Sequence, residues 1–316
     1  MFKKAETNSI AKKRTIADDI RKDYKRNKYV IQMAIPVFLY YLIFRYIPMC
    51  GISIAFFDYN IAGGFFESSF VGLKHFKDFL TGFYAARTIR NTLLISLMQL
   101  AIGFPIPIIF ALLLNEVRSK KFKSTVQTLS YLPHFISLVV VCGLIINFTG
   151  EKGIINDIVE LFGGERKNLL MEPQYFRWIY VISGVWQEMG WGAIIYLAAL
   201  AGIDPFLYEA ATMDGAGRFK QTLYVTLPGI APTIIVMLIL NVGKMMTVGS
   251  DKIILLYNAN TYETADVISS FVYRRGIVES NYSYSTAVNL FNSVINIILI
   301  TLTNYISRTV SENSLW

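Results

Sequence analysis

The sequence predicts an all-α integral membrane protein with six transmembrane helices. Three observations carry that prediction. Of 316 residues, 54% are hydrophobic and only 16% charged, with a mean hydropathy of +0.44; a soluble domain holds about 25% charged residues. The apolar residues collect into six runs, Val30–Phe57, Leu93–Leu114, Thr125–Phe148, Trp178–Ala201, Ile230–Val248 and Thr286–Ile306. Each run is near or above the roughly 18 residues that span hydrocarbon. None alternates apolar with polar positions, as a barrel strand of about ten residues would.

The elements follow in order. Residues 1–29 form a polar, basic tail that fits an amphipathic helix on an anionic membrane face and a solvated tail equally well. Ten Lys and Arg precede Val30, and Arg118, Lys120, Lys121 and Lys123 follow the second run. Cytoplasmic flanks are basic, so the amino terminus is expected inside and, after six spans, the carboxyl terminus (309–316) with it. The inside segments then hold 17 basic residues and the outer side 12, counting Lys244 near the outer end of span five, with Arg45 placed to snorkel from the first span. Positive-inside topology accounts for the net charge of +8, and no nucleic-acid partner is needed. The first apolar run is too long for a signal-peptide core and no A-x-A site closes it, so it is expected to remain as an anchor. Cys50 and Cys142 fall in predicted spans and read as buried thiols.

Three outside segments are expected. Asp58–Asn91 has a glycine turn at Gly63–Gly64 and an amphipathic "FVGLKHFKDFL", and Gly150–Arg177 contains a helical "INDIVELF". Gly249–Ser285 is too apolar for a plain loop and too short for two spans. It fits a re-entrant or surface-packed helix, tolerated where protein buries it. Pro36, Pro48, Pro105 and Pro107 mark kinks in the first two spans.

The loop between spans four and five, residues 202–229, is polar and strongly punctuated. Asp204 suits an N-cap and Pro205 the first helical position. "FLYEAATM" favours helix, and Asp214-Gly215 supplies a C-cap that accepts φ > 0. A second helical piece, Phe219–Thr226, is expected to stop at Leu227-Pro228, with Pro232 marking entry to span five. Glu209, Ala210, Ala211 and Met213 give the first helix a small-residue surface that another protein can approach closely.

At these residues the chain resembles the permease subunits of bacterial ABC importers, whose cytoplasmic loop follows E-A-A-x3-G-x9-I-x-L-P. Glu209, Ala210, Ala211, Gly215, Leu227 and Pro228 match, and Val225 replaces the isoleucine. The likeness extends from the first span to "SRTVSENSLW" and is nearest to sugar-type permeases of a Gram-positive, complex-oligosaccharide branch. It implies a type I importer permease fold in which the helix carrying Glu209, Ala210, Ala211, Met213, Asp214 and Gly215, closed by Pro228, couples to an ATPase. It further implies a heterodimer with a second permease, two ATPase copies that carry ATP and Mg, an extracellular binding lipoprotein, and a bacterial cytoplasmic membrane. The chain has no G-x-x-x-x-G-K-[ST] loop of its own. It is therefore expected to have no cofactor, no metal and no catalytic residue, with His75 and His134 too far apart to pair.

Intramembrane polar groups mark pathways or tie helices together. Asn289, Asn292 and Asn296 share one face of span six. Ser183, Gln187 and Trp191 recur every four residues in span four. Gln99 in span two, with Asn241 and Lys244 in span five, completes the set. Amides beside aromatic faces suit a sugar, so Gln187, Trp191, Asn289, Asn292, Asn296, Gln99 and Asn241 are the candidate pathway residues. Rival readings are an importer of amino acids or phosphate, and a secondary carrier, although no internal repeat favours the last.

Overall fold

The computed structural model describes residues 24 and 26–311. It divides into two compact units, Met1–Ser53 and Ile54–Trp316. The tail expected to lie on the membrane falls almost wholly outside the described residues.

Among the described residues, five helices are long and apolar enough to cross a membrane: α1 (Lys28–Phe56), α3 (Ala85–Glu116), the run Leu138–Leu161, α9 (Arg218–Val242) and α13 (Tyr282–Ser311). A sixth, α7 (Pro173–Ala201), qualifies together with the short α8 (Pro205–Met213), which bends away from it by 70°. Counting that bent pair as one span, the described residues hold six candidate spans, with altered boundaries. The element absent from the sequence reading is a two-stranded antiparallel hairpin, β1 (Phe57–Asn60) and β2 (Gly64–Phe70), pairing Phe57 with Phe70. It turns at the expected glycines, and α2 (Lys74–Thr81) follows it.

Proline placement explains much of the helix geometry. A proline lacks the N–H donor and its ring collides with the carbonyl four residues back. Three times the chain answers with a π turn ending two residues ahead of the ring: Leu42–Tyr46 before Pro48, Gln99–Gly103 before Pro105, and Thr222–Thr226 before Pro228. Ile47 and Leu227 donate five residues back, to Leu42 and Thr222. The widened turn absorbs the misfit. For this reason α9 does not stop at Pro228: it runs unbroken from Arg218 to Val242, with Pro232 inside it. Span five is therefore not Ile230–Val248; it begins twelve residues earlier and ends at Val242, leaving Lys244 in the following turn.

Span three is also corrected. Thr125–Phe148 is not one helix. Helix α4 (Lys120–Tyr131) ends in a 3₁₀ turn, Leu132–Phe135, at Pro133, and α5 (Leu138–Thr149) starts afresh with Ser137 capping the Val140 N–H. Helix α6 (Ile154–Leu161) then follows, at the "INDIVELF" stretch. Gly249–Ser285 contains not one helix but three, α10 (Ser250–Leu256), α11 (Tyr262–Ala265) and α12 (Ile268–Tyr273). Their buried residues Ile253, Leu256, Ala265, Ile268 and Phe271 show that the segment is packed, as its apolar character required. Cys142 is buried, whereas Cys50 is exposed.

Polar ties hold the two ends of the second unit. At one end Asn91, in the first turns of α3, donates to the Glu263 and Asp266 carbonyls, and Arg177, at the start of α7, donates to Asn91 and to Thr264. Asp266, fully buried, accepts from Arg274 at 2.7 Å and Arg87 at 3.3 Å. At the opposite ends of these helices, Arg218 reaches Glu116 at 3.8 Å. The segments expected on one side of the membrane, the end of span two and the start of span five, thus lie together, away from those expected on the other.

Candidate functional site

Two features stand out in the second unit: the punctuated helix α8 and a cavity among α3, α7 and α9.

Helix α8 is built as its residues dictate. The Asp204 carboxylate accepts from the Phe206 N–H at 3.0 Å, capping the start, and Pro205 occupies the first turn. At the other end Gly215 has φ +74°, the Gly215 N–H donates to Thr212 and the Ala216 N–H to Ala211. Those two bonds are a Schellman closure, which needs a residue free to adopt positive φ. The helix is braced against α9 by residues the sequence reading passed over. Tyr208 and Thr226 share a hydroxyl bond of 3.1 Å, and Gln221 donates to Thr212 and to the Ala216 carbonyl. No residue of α8 is buried. Met213 is 90% exposed and Phe206 73%, and Phe219 just beyond is 81% exposed. Glu209 and Ala210 are exposed and Ala211 half-buried. The helix is rigidly held by its base while its apolar side chains have nothing over them.

The cavity has a volume of about 440 Å³. Of the candidate pathway residues, Gln99 and Asn241 line it; Gln187, Trp191, Asn289, Asn292 and Asn296 do not. On α7 the lining positions include Tyr180, Gly184, Glu188, Gly192 and Tyr196, spaced four apart on one helical face, with Val185 and Met189 beside them. The stripe singled out from sequence, Ser183, Gln187 and Trp191, lies one residue and about 100° round the helix from it. The readable signal was the pair of glycines flanking Glu188: their missing side chains leave the space. Gln187 is buried. Trp191 instead stacks on His134 of the Pro133 turn, rings 4.5 Å apart and 3° from parallel, while His134 Nδ1 lies 3.0 Å from a Glu188 carboxylate oxygen.

The asparagines of α13 serve the cavity indirectly. Asn292 donates to the Met246 carbonyl at 3.0 Å. Asn296 accepts from the Met246 N–H at 3.0 Å and donates to the Thr247 hydroxyl at 2.9 Å. Ser96 of α3 donates to the Met245 carbonyl. Together they pin the turn after α9, which presents Lys244, Met245 and Thr247 to the cavity. Asn289 is exposed, its carbonyl accepting from Ser293.

Comparison with known proteins bears on both features. Residues 103–312 match a family described as "binding-protein-dependent transport system inner membrane component". The polygalacturonan/rhamnogalacturonan transport system permease protein YteP of Bacillus subtilis (strain 168) is 44% identical over 292 residues, spanning 92% of this chain and 91% of that protein. Among solved structures, a chain of a bacterial ABC transporter involved in the import of the acidic polysaccharide alginate superposes with a TM-score of 0.86 at 40% identity, covering 93% of this chain and 99% of that one. A chain of the bacterial alginate transporter in complex with alginate pentasaccharide-bound periplasmic protein gives 0.87 at 41%, with the same coverage.

Proposed function

The chain belongs to the family of binding-protein-dependent transport system inner membrane components, and on that premise we propose that it forms half of the pathway of an ATP-driven importer of oligosaccharides. It is an ABC importer permease of the type I fold, and membership excludes the secondary carrier. The observation that carries the energetic part is α8: a helix capped at both ends, braced at Tyr208 and Gln221, with Met213 and Phe206 exposed beside Glu209 and Ala210. An apolar knob of this kind on a rigid support suits docking into a cleft of a second protein. In our reading that protein is an ATPase subunit holding ATP and Mg. Two ATPases need two such helices, hence a second permease. A heterodimer follows the habit of sugar-type systems. The solute is delivered by an extracellular binding lipoprotein, in keeping with the periplasmic protein in the alginate complex.

The oligosaccharide follows from the relatives' named cargoes and from a cavity that offers Gln99, Asn241, Thr247 and Tyr196 beside apolar walls. Amides and hydroxyls meet sugar hydroxyls, and aromatic faces meet their CH surfaces. The chain sits in the bacterial cytoplasmic membrane with both termini cytoplasmic, as the basic flanks of spans one and two require. Cysteine labelling with an impermeant thiol reagent on intact cells tests the arrangement. A cysteine at Glu165 is expected to label and one at Thr212 not to; the reverse pattern would place α8 outside and remove the ATPase from it.

A further inference from the structure

The cavity carries a charge pattern that a path for neutral sugars does not need. Its charged lining residues are Glu188 and Lys244. Glu188 is already engaged by His134 at 3.0 Å. Lys244 is exposed and makes no ion pair among the described residues. A second ammonium stands directly behind the wall. Lys252 of α10 is 7% exposed, and a Cβ on the lining residue Gly184 would lie 3.5 Å from its Nζ. Its partners are the Tyr180 carbonyl, at 3.1 Å, and the Tyr180 ring, 4.9 Å to the centroid; among the described residues no carboxylate pairs with it. Burial pushes its pKa down to about 8, opposed by the charges of Cys142 and Glu188. Buried ammonium groups without a counter-charge are costly and are retained where they act on a ligand.

We propose that this cavity reads carboxylates, so that the oligosaccharide it passes is a uronate-bearing anion, with Lys244 contacting the sugar carboxylate and Lys252 supplying a positive field through the gap at Gly184. Lys244 is a mobile point charge at the cavity rim, suited to a group that must be accepted and released. The glycine at position 184 keeps Lys252 from being screened by a side chain. The Glu188 carboxylate has a neighbour of its own, His134 Nδ1 at 3.0 Å, whereas Lys244 has none among the described residues. The turn bearing Lys244 is held from below by Asn292 and Asn296, which gives those asparagines a positioning role.

A lysine just past a helix end also gains from the carbonyls there. In that role its loss would lower thermal stability and leave ligand affinity alone, which makes the two roles separable. The proposal rests on the oligosaccharide reading above. Its test is saturation-transfer NMR on the assembled transporter in nanodiscs, with the binding protein omitted so that only the permease cavity is read. The probes are trigalacturonate and its trimethyl ester, alike in size and differing in charge. Trigalacturonate is expected to bind more tightly than the ester. Lys244→Gln is expected to raise its Kd about tenfold, the loss of one charge-assisted contact. Ester binding should stay unchanged, and Lys244→Arg should keep most of the affinity. Equal binding of acid and ester, or an unchanged acid Kd in Lys244→Gln with a lowered melting temperature, overturns the proposal. Binding of both probes without charge preference leaves the oligosaccharide reading standing. Failure of the assembled system to take up any oligosaccharide in a separate uptake assay removes both.

Discussion

Replacing Gly190 with alanine isolates the contact that sets span four against the broken helix beside it. A Cβ at Gly190 would fall inside contact distance of the Ser130 carbonyl and 2.9 Å from the Ser130 Cβ. The obstruction is backbone near the end of α4, so it cannot swing aside as a side-chain tip would. Either α4 and α7 separate or the chain bends, and overpacking of this kind costs about 1–3 kcal/mol. Alanine also favours helix over glycine by up to about 1 kcal/mol, which would mask part of the loss. Gly143→Ala is the control: it lies in α5 with nothing within 4 Å of its Cβ position, and receives the same propensity gain without the clash. The difference between the two variants is therefore about 2 kcal/mol, or roughly 3 °C in melting temperature for a chain of this size. The assay is fluorescence-monitored thermal unfolding of the purified protein in one detergent, both variants in parallel. Equal melting temperatures for Gly190→Ala and Gly143→Ala would refute the argument that α4 and α7 meet backbone to backbone.

Helix α8 and two buried charges yield further predictions. Gly215→Val forces a branched residue to φ +74° in otherwise open space, so it should cost about 1–2 kcal/mol locally and abolish uptake or ATPase association while membrane insertion persists; normal transport by this variant would remove α8 as the coupling element. Asp266→Ala leaves Arg87 and Arg274 facing each other without their carboxylate and should lose about 3 kcal/mol of stability in the same unfolding assay. Lys252→Met should raise stability by about 2 kcal/mol near neutral pH, since it removes an ammonium whose native pKa, about 8, lies below its unfolded value of 10.5. A lowered base pKa penalises the folded state fully below pH 8, and the penalty fades as pH rises from there towards 10.5. The variant's advantage should shrink over that window, and an advantage independent of pH would assign it to packing instead.

Local chemistry and composition were enough to determine which segments cross the membrane and how α8 is made. Long apolar runs have no other stable home, and Asp204, Pro205 and Gly215 each act within a few residues of their own position, so their caps form wherever the chain folds. The apolar runs and the caps of α8 were legible for that reason. Boundaries near prolines were not, because whether Pro228 ends a helix or is absorbed by the π turn at Thr222–Thr226 depends on what packs around it. The same holds for Pro133, where span three breaks and α7 fits into the gap at Gly190. The cavity was the least legible part. Asn292 and Asn296 look alike to any pathway amide until the Met246 turn arrives from 46 and 50 residues away to take their hydrogen bonds. Polar periodicity on α7 identifies a stripe but not the direction it faces, and a shift of one residue separates Gln187 from Glu188. Only the packing of α3 and α9 against α7 decides which stripe borders empty space, because a cavity is made by the side chains that are missing, Gly184 and Gly192, as much as by those present.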